Sequence, residues 1–468
     1  MITCRICHKP FKRLTCSHIL THNISYLEYK SRFEQMQENK ICTYKNDHTN
    51  WKCSCIVQQE GQSEYCILHE PTNQKDQAKF NEALESLISL QLNNQSTETV
   101  HLDGIHFPDD FSWSQKTFKK IISFANAVFY GKLKILDTVF EKDAIWGFCI
   151  FNNEVEFGRV EFSTVTRFFQ STFRNTFKFY NVTFHGVTFV NASFDDGGVF
   201  KHSNFYDFTS FRHIKTPKSS KIISFYFIHF ISAERTWFED VDLSKISFSE
   251  CDLRYVKFIN VEWVKPKWPA TKRKCLRDEF VKNDGRKLAL KDFERVRNEY
   301  QQLKLNYEEA RSFADAGDFY YGEMECLRKS LGLKRFLPTL KTVYWASSGY
   351  GERPLRAGLN LFLLIALWIY CLMFWGLKPT FANSGYNSID YEFSWNSNNF
   401  PVYVKDALNT LTYVIEILLR EEKVDRIYSP IPRPNRWFSG DGINVIGFIL
   451  VYLQVILFAL AVRRRFRR

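Results

Sequence analysis

The chain has 468 residues, room for about two to four domains, and a formal charge of +12 that is partly one local patch. Five of its last six residues (Arg463, Arg464, Arg465, Arg467, Arg468) are basic. Aromatic residues make up 17% of the chain, with 45 phenylalanines, an excess that points to a repeating packing position. Twelve cysteines fit a disulfide framework in number, but seven of them lie within the first 66 residues beside histidines. The opening Met1-Ile2-Thr3-Cys4-Arg5-Ile6-Cys7 lacks the apolar core of a secretory signal, so a reducing compartment and metal are expected and disulfides are not.

The first element, over residues 1–35, is a Cys/His module. Cys4-x2-Cys7 followed by His18-x3-His22 has the spacing of a two-Cys, two-His zinc finger, with Phe11 and Leu14 where a small finger needs core residues. Cys16 and His8 are spare ligands nearby. The continuation His22-Asn-Ile-Ser-x3-Glu28-Tyr29-Lys30 resembles the bacterial finger of the Ros/MucR type. A second module, over 40–72, contains Cys42, Cys53, Cys55, Cys66 and His69. The preferred ligand set is Cys42, Cys53, Cys66 and His69, with Cys55 as the alternative to Cys53. Both modules are small enough to need structural Zn2+ simply to fold. Four protein ligands at each ion leave no open coordination position, so no enzyme is expected. Arg5, Lys9, Lys12, Arg13, Lys30 and Arg32 keep nucleic acid as the lesser alternative to a cytoplasmic protein partner.

A helical linker over 75–99 leads to the repeat. Phe179, Phe184, Phe189 and Phe194 are five residues apart, as are Leu243, Phe248, Leu253, Phe258 and Trp263. Phe157–Phe162, Phe168–Phe173 and Phe200–Phe205 follow the same step, with one-residue slips between them. Two positions before the centres stand Val182, Val187 and Ala192, then Val241, Ile246, Cys251, Val256 and Val261. Helices repeat at about 3.6 residues and strands at about two, so neither explains this step. A coil that turns a corner every five residues does, with the large and the small residue both pointing inward. The pattern resembles the pentapeptide-repeat family, which implies a right-handed quadrilateral β-helix over 100–263. At about twenty residues per coil and ~4.8 Å between stacked strands, it makes about eight coils and roughly 40 Å of rod, with ends that need caps. The pattern is weak at 100–150 and at 212–237, where Pro217 and a Lys/Ser run suggest an inserted loop. DNA-shape mimicry, known for some members of that family, needs an acidic surface, and Lys and Arg run freely here. Asn181-Val-Thr and Asn191-Ala-Ser match the glycosylation pattern, without meaning on a cytoplasmic side.

Over 280–335 the spacing predicts a helical hairpin. Phe293, Val296, Tyr300, Leu303 and Tyr307 line its first helix, Gly317-Asp318 breaks the pattern, and Phe319-Tyr320-Tyr321-x2-Met324 restarts it. The stretch resembles the linker of pentapeptide-repeat membrane proteins. Tyr307, Glu308, Glu323 and Glu325 read as an aromatic seam with solvated faces, not as an acid–base set. Such a hairpin either caps the β-helix or passes its movements to the membrane.

Two apolar runs follow, Leu355–Leu377 and Ile443–Val462, each close to the ~20 residues that cross a bilayer. Lys334, Arg335, Lys341, Arg353 and Arg356 precede the first and the basic tail 463–468 follows the second, whereas residues 378–442 carry seven basic residues spread over 65 positions. This asymmetry predicts a multi-pass protein of the cell membrane with both termini cytoplasmic. The external segment 378–442 holds an amphipathic helix over 402–419, with Val404, Ala407, Leu408, Leu411, Val414, Ile415 and Leu418 along one face. Ser347-Ser348-Gly349-Tyr350-Gly351 is similar to a potassium-channel filter, but a filter lies between spans, and this motif precedes the first. It is read as a turn entering the membrane. The plan still resembles two-span ion channels, which implies a homo-oligomer, a tetramer if channel-like, in the lipid bilayer. The alternative is a membrane-anchored scaffold or binding protein without transport.

Overall fold

The computed structural model describes residues 2–3, 10–11, 41–57, 63–266, 273–280, 288–332, 337, 339–380, 387–389, 400–419, 427–432 and 440–466. They form two units, Met1–Ile246 with Lys257–Val261, and Ser247–Val256 with Glu262–Arg468.

The first unit is a parallel β-solenoid with four short strands per coil, such as Val128–Phe129, Leu133–Leu136, Val139–Phe140 and Ala144–Ile145. One column of eight strands runs from Thr99–His101 to Lys257–Ile259 in seven parallel steps. At ~4.8 Å per step that column is about 34 Å tall. The coil is longer than the predicted twenty residues. Phe107, Phe129, Phe151 and Phe173 pair in register at intervals of 22, and Phe173 pairs with Phe194 at 21.

The reason lies at the corners. Inward residues alternate steps of six and five through Phe107, Trp113, Phe118, Phe124, Phe129, Ile135, Phe140, Trp146, Phe151, Phe157 and Phe162, so the repeat is an eleven-residue pair of unequal sides. Each five-residue side turns on a left-handed residue: Gln115, Asn126, Asp137, Phe148, Arg159, Gln170 and Asn181 all have positive φ, eleven residues apart. Asn tolerates this conformation better than most side chains, which gives Asn181 and Asn191 a structural role inside their glycosylation-like triplets. The apparent slips and the weak pattern at 100–150 are therefore a regular longer repeat. The expected insertion is present: Phe200 pairs with Phe225 and Phe211 with Phe238, steps of 25 and 27 residues.

Burial holds the coils together. Phe157, Phe179, Phe200 and Phe225 stack face to face with centroids 4.9, 5.0 and 4.9 Å apart, and all four are buried. The small residues Val182, Val187 and Ala192 fill the space beside them. Outward side chains pair between coils instead, as in Lys134–Glu156 (3.4 Å), Arg167–Asp143 (2.5 Å) and Arg212–Glu239 (2.9 Å). The surface is a mixed-charge ladder of individually weak pairs. Helix α1 (Gln77–Asn93) adds Phe80, Leu84 and Leu87 to this core, Phe80 meeting Phe107 edge-on at 5.9 Å. Lys120 closes the last turn of α1 by donating to the carbonyls of Gln91 and Asn94.

The second unit is helical: α2 (Asp292–Glu309), α3 (Phe313–Lys329), α4 (Leu340–Ser348), α5 (Pro354–Trp375), α6 (Phe400–Leu419) and α7 (Gly440–Arg465). The hairpin α2–α3 breaks six residues earlier than expected, at Arg311, which is left-handed. Gly317 and Asp318 lie inside α3; a Cβ at Gly317 would stand 2.4 Å from Glu352 Oε2, so the glycine serves close packing, not a turn. Buried Glu279 accepts from Arg273 (2.5 Å), Tyr300 (2.5 Å) and Lys329 (2.9 Å). Burial would raise its pKa, but Arg273 and Lys329 hold it below the ordinary carboxylate value. The polar side chains of α2 and the turn before it cover exposed backbone of the last repeats. Asp278 accepts from Phe248 N (3.0 Å), Glu299 from Glu250 N (3.0 Å) and Gln302 from Leu253 N (2.8 Å). Asn306 Nδ2 donates to the carbonyls of Leu253 and Val256 (3.0 and 2.8 Å).

The filter-like motif is a turn. Gly349, Tyr350 and Gly351 all have positive φ, and buried Tyr350 is wedged beside Tyr321 and Tyr344. Arg464 NH1 donates to Tyr350 O (3.3 Å) and to Glu352 Oε1 (3.4 Å), which brings the end of α7 beside the start of α5. Helices α5 and α7 are both long and apolar enough to cross a membrane, and only 17% of the most apolar stretch of each is buried, where a soluble core helix would be mostly covered. Helix α6 packs against them through Tyr413 and Val414, in one cluster with Trp368, Leu372 and Val451. Its expected apolar face is split: Val414 is buried in this contact and Leu418 packs against it, whereas Val404, Leu408 and Ile415 are exposed.

Candidate metal centre

The strongest donor cluster among the described residues is built from two turns. Residues 41–56 form a small antiparallel hairpin, with bridges at Ile41↔Ile56 and Lys45↔Lys52. Its backbone bonds Cys42 N→Cys55 O (3.0 Å) and Cys53 N→Tyr44 O (3.1 Å) set Cys42 and Cys53 side by side. Asn46 shapes the tip by accepting from His48 N (2.9 Å) and Thr49 N (3.3 Å). The second turn is Cys66-x2-His69, closed by His69 N and Glu70 N on Cys66 O, both at 3.0 Å.

These turns bring Cys42, Cys53, Cys66 and His69 together, fully buried, with their ligand atoms all within 4.8 Å of one another. Cys66 Sγ lies 3.2 Å and Cys42 Sγ 3.8 Å from His69 Nδ1, and Cys53 Sγ lies 3.9 Å from Cys66 Sγ. Cys55 is not one of the four; it is half-buried, and its amide donates to Cys53 Sγ (3.4 Å). The opposite ring nitrogen of the histidine, Nε2, donates to Asp103 O at 2.9 Å, which aims Nδ1 at the cysteines. Hydrogen bonds with Cys42 and then Cys53 hold the Cys66 thiol down at about 5. Burial works against a charged His69, yet its bonds to Cys42 and Cys66 lift it to about 9. Without an ion the cluster therefore carries protons that binding must displace.

The chain's own second layer fixes this set. Asp103 is fully buried and accepts from Asn46 Nδ2 (2.8 Å), Thr49 Oγ1 (3.0 Å), Ala125 N (3.2 Å) and the Ser123 hydroxyl, with His101 Nδ1 at 3.2 Å. It thereby joins the hairpin tip, the histidine ligand and the first coils of the solenoid. Tyr44 stacks on His69 at 4.2 Å, and its ring lies on Gly104, where a Cβ would sit 2.0 Å from it. Gly104 is also left-handed (φ 66°), eleven residues before Gln115, so it is the first corner of the repeat. Sequence reasoning missed Asp103 and Tyr44. Only the corner register of Gly104 marked the place.

Of the other module, strands Ile2–Thr3 and Pro10–Phe11 pair antiparallel. Its ligands Cys4, Cys7, His18 and His22 lie outside the described residues. The arrangement defines a β-solenoid whose first coils carry a buried Cys3His donor set, in a chain with two helices of membrane-spanning length. Comparison with protein-family models, curated proteins and solved structures gives no match for the chain.

Proposed function

We propose that the chain is an integral membrane protein whose two spans and α6 form one subunit of a channel-like assembly, with the solenoid as its cytoplasmic sensor or scaffold. The packing of α6 carries this reading. The helix between the spans is held against both of them, with Thr410 and Tyr413 buried and Tyr413 OH accepting from Asn444 Nδ2 at 2.9 Å. Of its apolar residues, Val414 and Leu418 face this cluster, while Leu408, Ile415 and Leu419 are turned outward. A helix lying alone on the outer leaflet would bury that stripe in lipid and leave Thr410 and Tyr413 wet. Polar groups gathered between helices of an apolar layer are the usual mark of a pathway or of its scaffolding. The Lys/Arg bias supports cytoplasmic termini. Selectivity for potassium has no support, since the only filter-like sequence is the Gly349–Gly351 turn on the near side of α5.

The metal centre is read as structural Zn2+. Donors on a tetrahedral zinc stand about 3.4–3.8 Å apart, close to the observed 3.2, 3.8 and 3.9 Å. Three cysteines and a histidine fill four positions, which favours a cap over a catalyst. The second reading, an anchored scaffold without transport, draws on the solenoid surface, where exposed Tyr206 stacks on His185 and Ile231 stands free for a partner protein. Reconstitution separates the two. A symmetric oligomer that passes current across a planar bilayer supports the channel; a monomer without current leaves the scaffold.

A further inference from the structure

We propose that α4, with the arginines at the end of α7, forms a collar that binds anionic phospholipid in the leaflet at that end of the spans; this rests on reading α5 and α7 as spans. The apolar side chains of α4 point outward. Leu340 is 90% exposed and Val343 53%, with Leu337 just before the helix at 55%, one residue in every three. The opposite face is tightly held. Trp345 Nε1 donates to Tyr321 OH (3.1 Å), the Arg328 guanidinium lies 4.3 Å over the Trp345 ring, and Tyr344 packs on Tyr350. The exposed stripe is thus fixed in place by the hairpin behind it.

Its position is the end of the spans. Asn360 of α5 donates to Ala346 O and Ser347 O (2.8 and 2.9 Å), and Gln454 of α7 also reaches Ser347 O (3.1 Å). Helix α5, which follows after the turn, also presents apolar side chains outward: Leu355 is 85% exposed, and Leu359 and Phe362 are exposed too. The charge at this end is positive: Lys341 on α4 and Arg463 and Arg465 on α7 are all exposed, while Arg464 is occupied by Glu352. A short helix with an apolar stripe, a lysine beside it and a basic cluster next to a span is the pattern of an interfacial helix on an anionic leaflet. Attachment to the spans through Asn360 and Gln454, with exposed apolar residues on both α4 and α5, favours lipid over a second protein.

The test places a photoreactive benzophenone residue at position 340, or at 362 on α5, in the full chain held in nanodiscs of phosphatidylcholine mixed with phosphatidylglycerol. Both positions are expected to yield lipid adducts, with the phosphatidylglycerol share several-fold higher at 340. Combining Lys341→Gln, Arg463→Gln and Arg465→Gln should bring the share at 340 down to that at 362. A lipid adduct at 362 with none at 340, a chain-to-chain adduct at 340, or equal shares at both positions overturns the collar. Lipid adducts at neither position overturn the span reading, and the collar with it.

Discussion

The first and the last repeats of the chain are finished by different chemistry. At the front, three thiols and an imidazole surround a space suited to an ion, and the carboxylate of Asp103 ties them to the first coils. At the back, Asp278, Glu299, Gln302 and Asn306 meet the backbone groups of residues 248–256 directly. One cap depends on a soft-ligand ion, the other on hydrogen bonds between polar side chains and backbone groups. The coils between them use neither, relying on stacked phenylalanine. The three regions should therefore fail to three different insults: chelation, loss of volume and pH.

Metal removal should have the largest effect. A structural ion of this kind binds with on the order of 10 kcal/mol, so Cys66→Ser should lose one bound metal per chain and lower the melting temperature of the solenoid sharply. Chelator should lower the melting temperature of the wild-type solenoid in the same way and leave that of the variant's solenoid unchanged. Unchanged metal content, read by emission spectroscopy, sinks the assignment. Next comes volume: Phe179, stacked between Phe157 and Phe200, should cost about 3–5 kcal/mol as Phe179→Ala. That cost should be the same with and without chelator. A much larger cost without metal would mean that the cap and the stack are one cooperative element.

The sequence carries these regions unequally. The repeat was legible because each inward Phe is a large signal at a fixed step, but the step itself was misjudged. Left-handed corners at Gln115, Asn126 and Asp137 look unremarkable as residue types, so the eleven-residue period read as slips. Cys42, Cys53, Cys66 and His69 stood out by composition, whereas Asp103 is one aspartate among many until the fold buries it. The hairpin break was misplaced because a glycine signals either a turn or close packing, and Gly317 is there for Glu352. In α6 the apolar stripe divides, with Val414 buried against the neighbouring helices and Leu408 and Ile415 exposed, and the stripe alone does not say which part meets protein.

The back cap should respond less to substitution and more to pH. Asn306→Ala strands the carbonyls of Leu253 and Val256, at about 1–3 kcal/mol, and should speed amide exchange in 250–256 while leaving metal content untouched. Unaltered exchange there would remove Asn306 from the cap.

The response to pH is the most diagnostic. Burial, then the nearby charge of Asp278, raises the Glu299 carboxyl well above its ordinary value, while one of its oxygens accepts from Glu250 N. The folded chain therefore keeps a proton there that the unfolded chain releases. A raised carboxyl contributes stability that is fully present below the ordinary carboxylate range and is lost as pH rises toward the folded value. Over that window the loss is about 1.4 kcal/mol per pH unit. Glu299→Gln keeps the acceptor and has no proton to release, so the helical unit should melt at nearly constant temperature where the wild type declines. Chelator should leave this difference intact, because the metal donors belong to the first unit and Glu299 to the second. Parallel pH profiles for the two proteins would show that Glu299 is already ionised in the fold, and the back cap would then be an ion-pair network like that around Glu279.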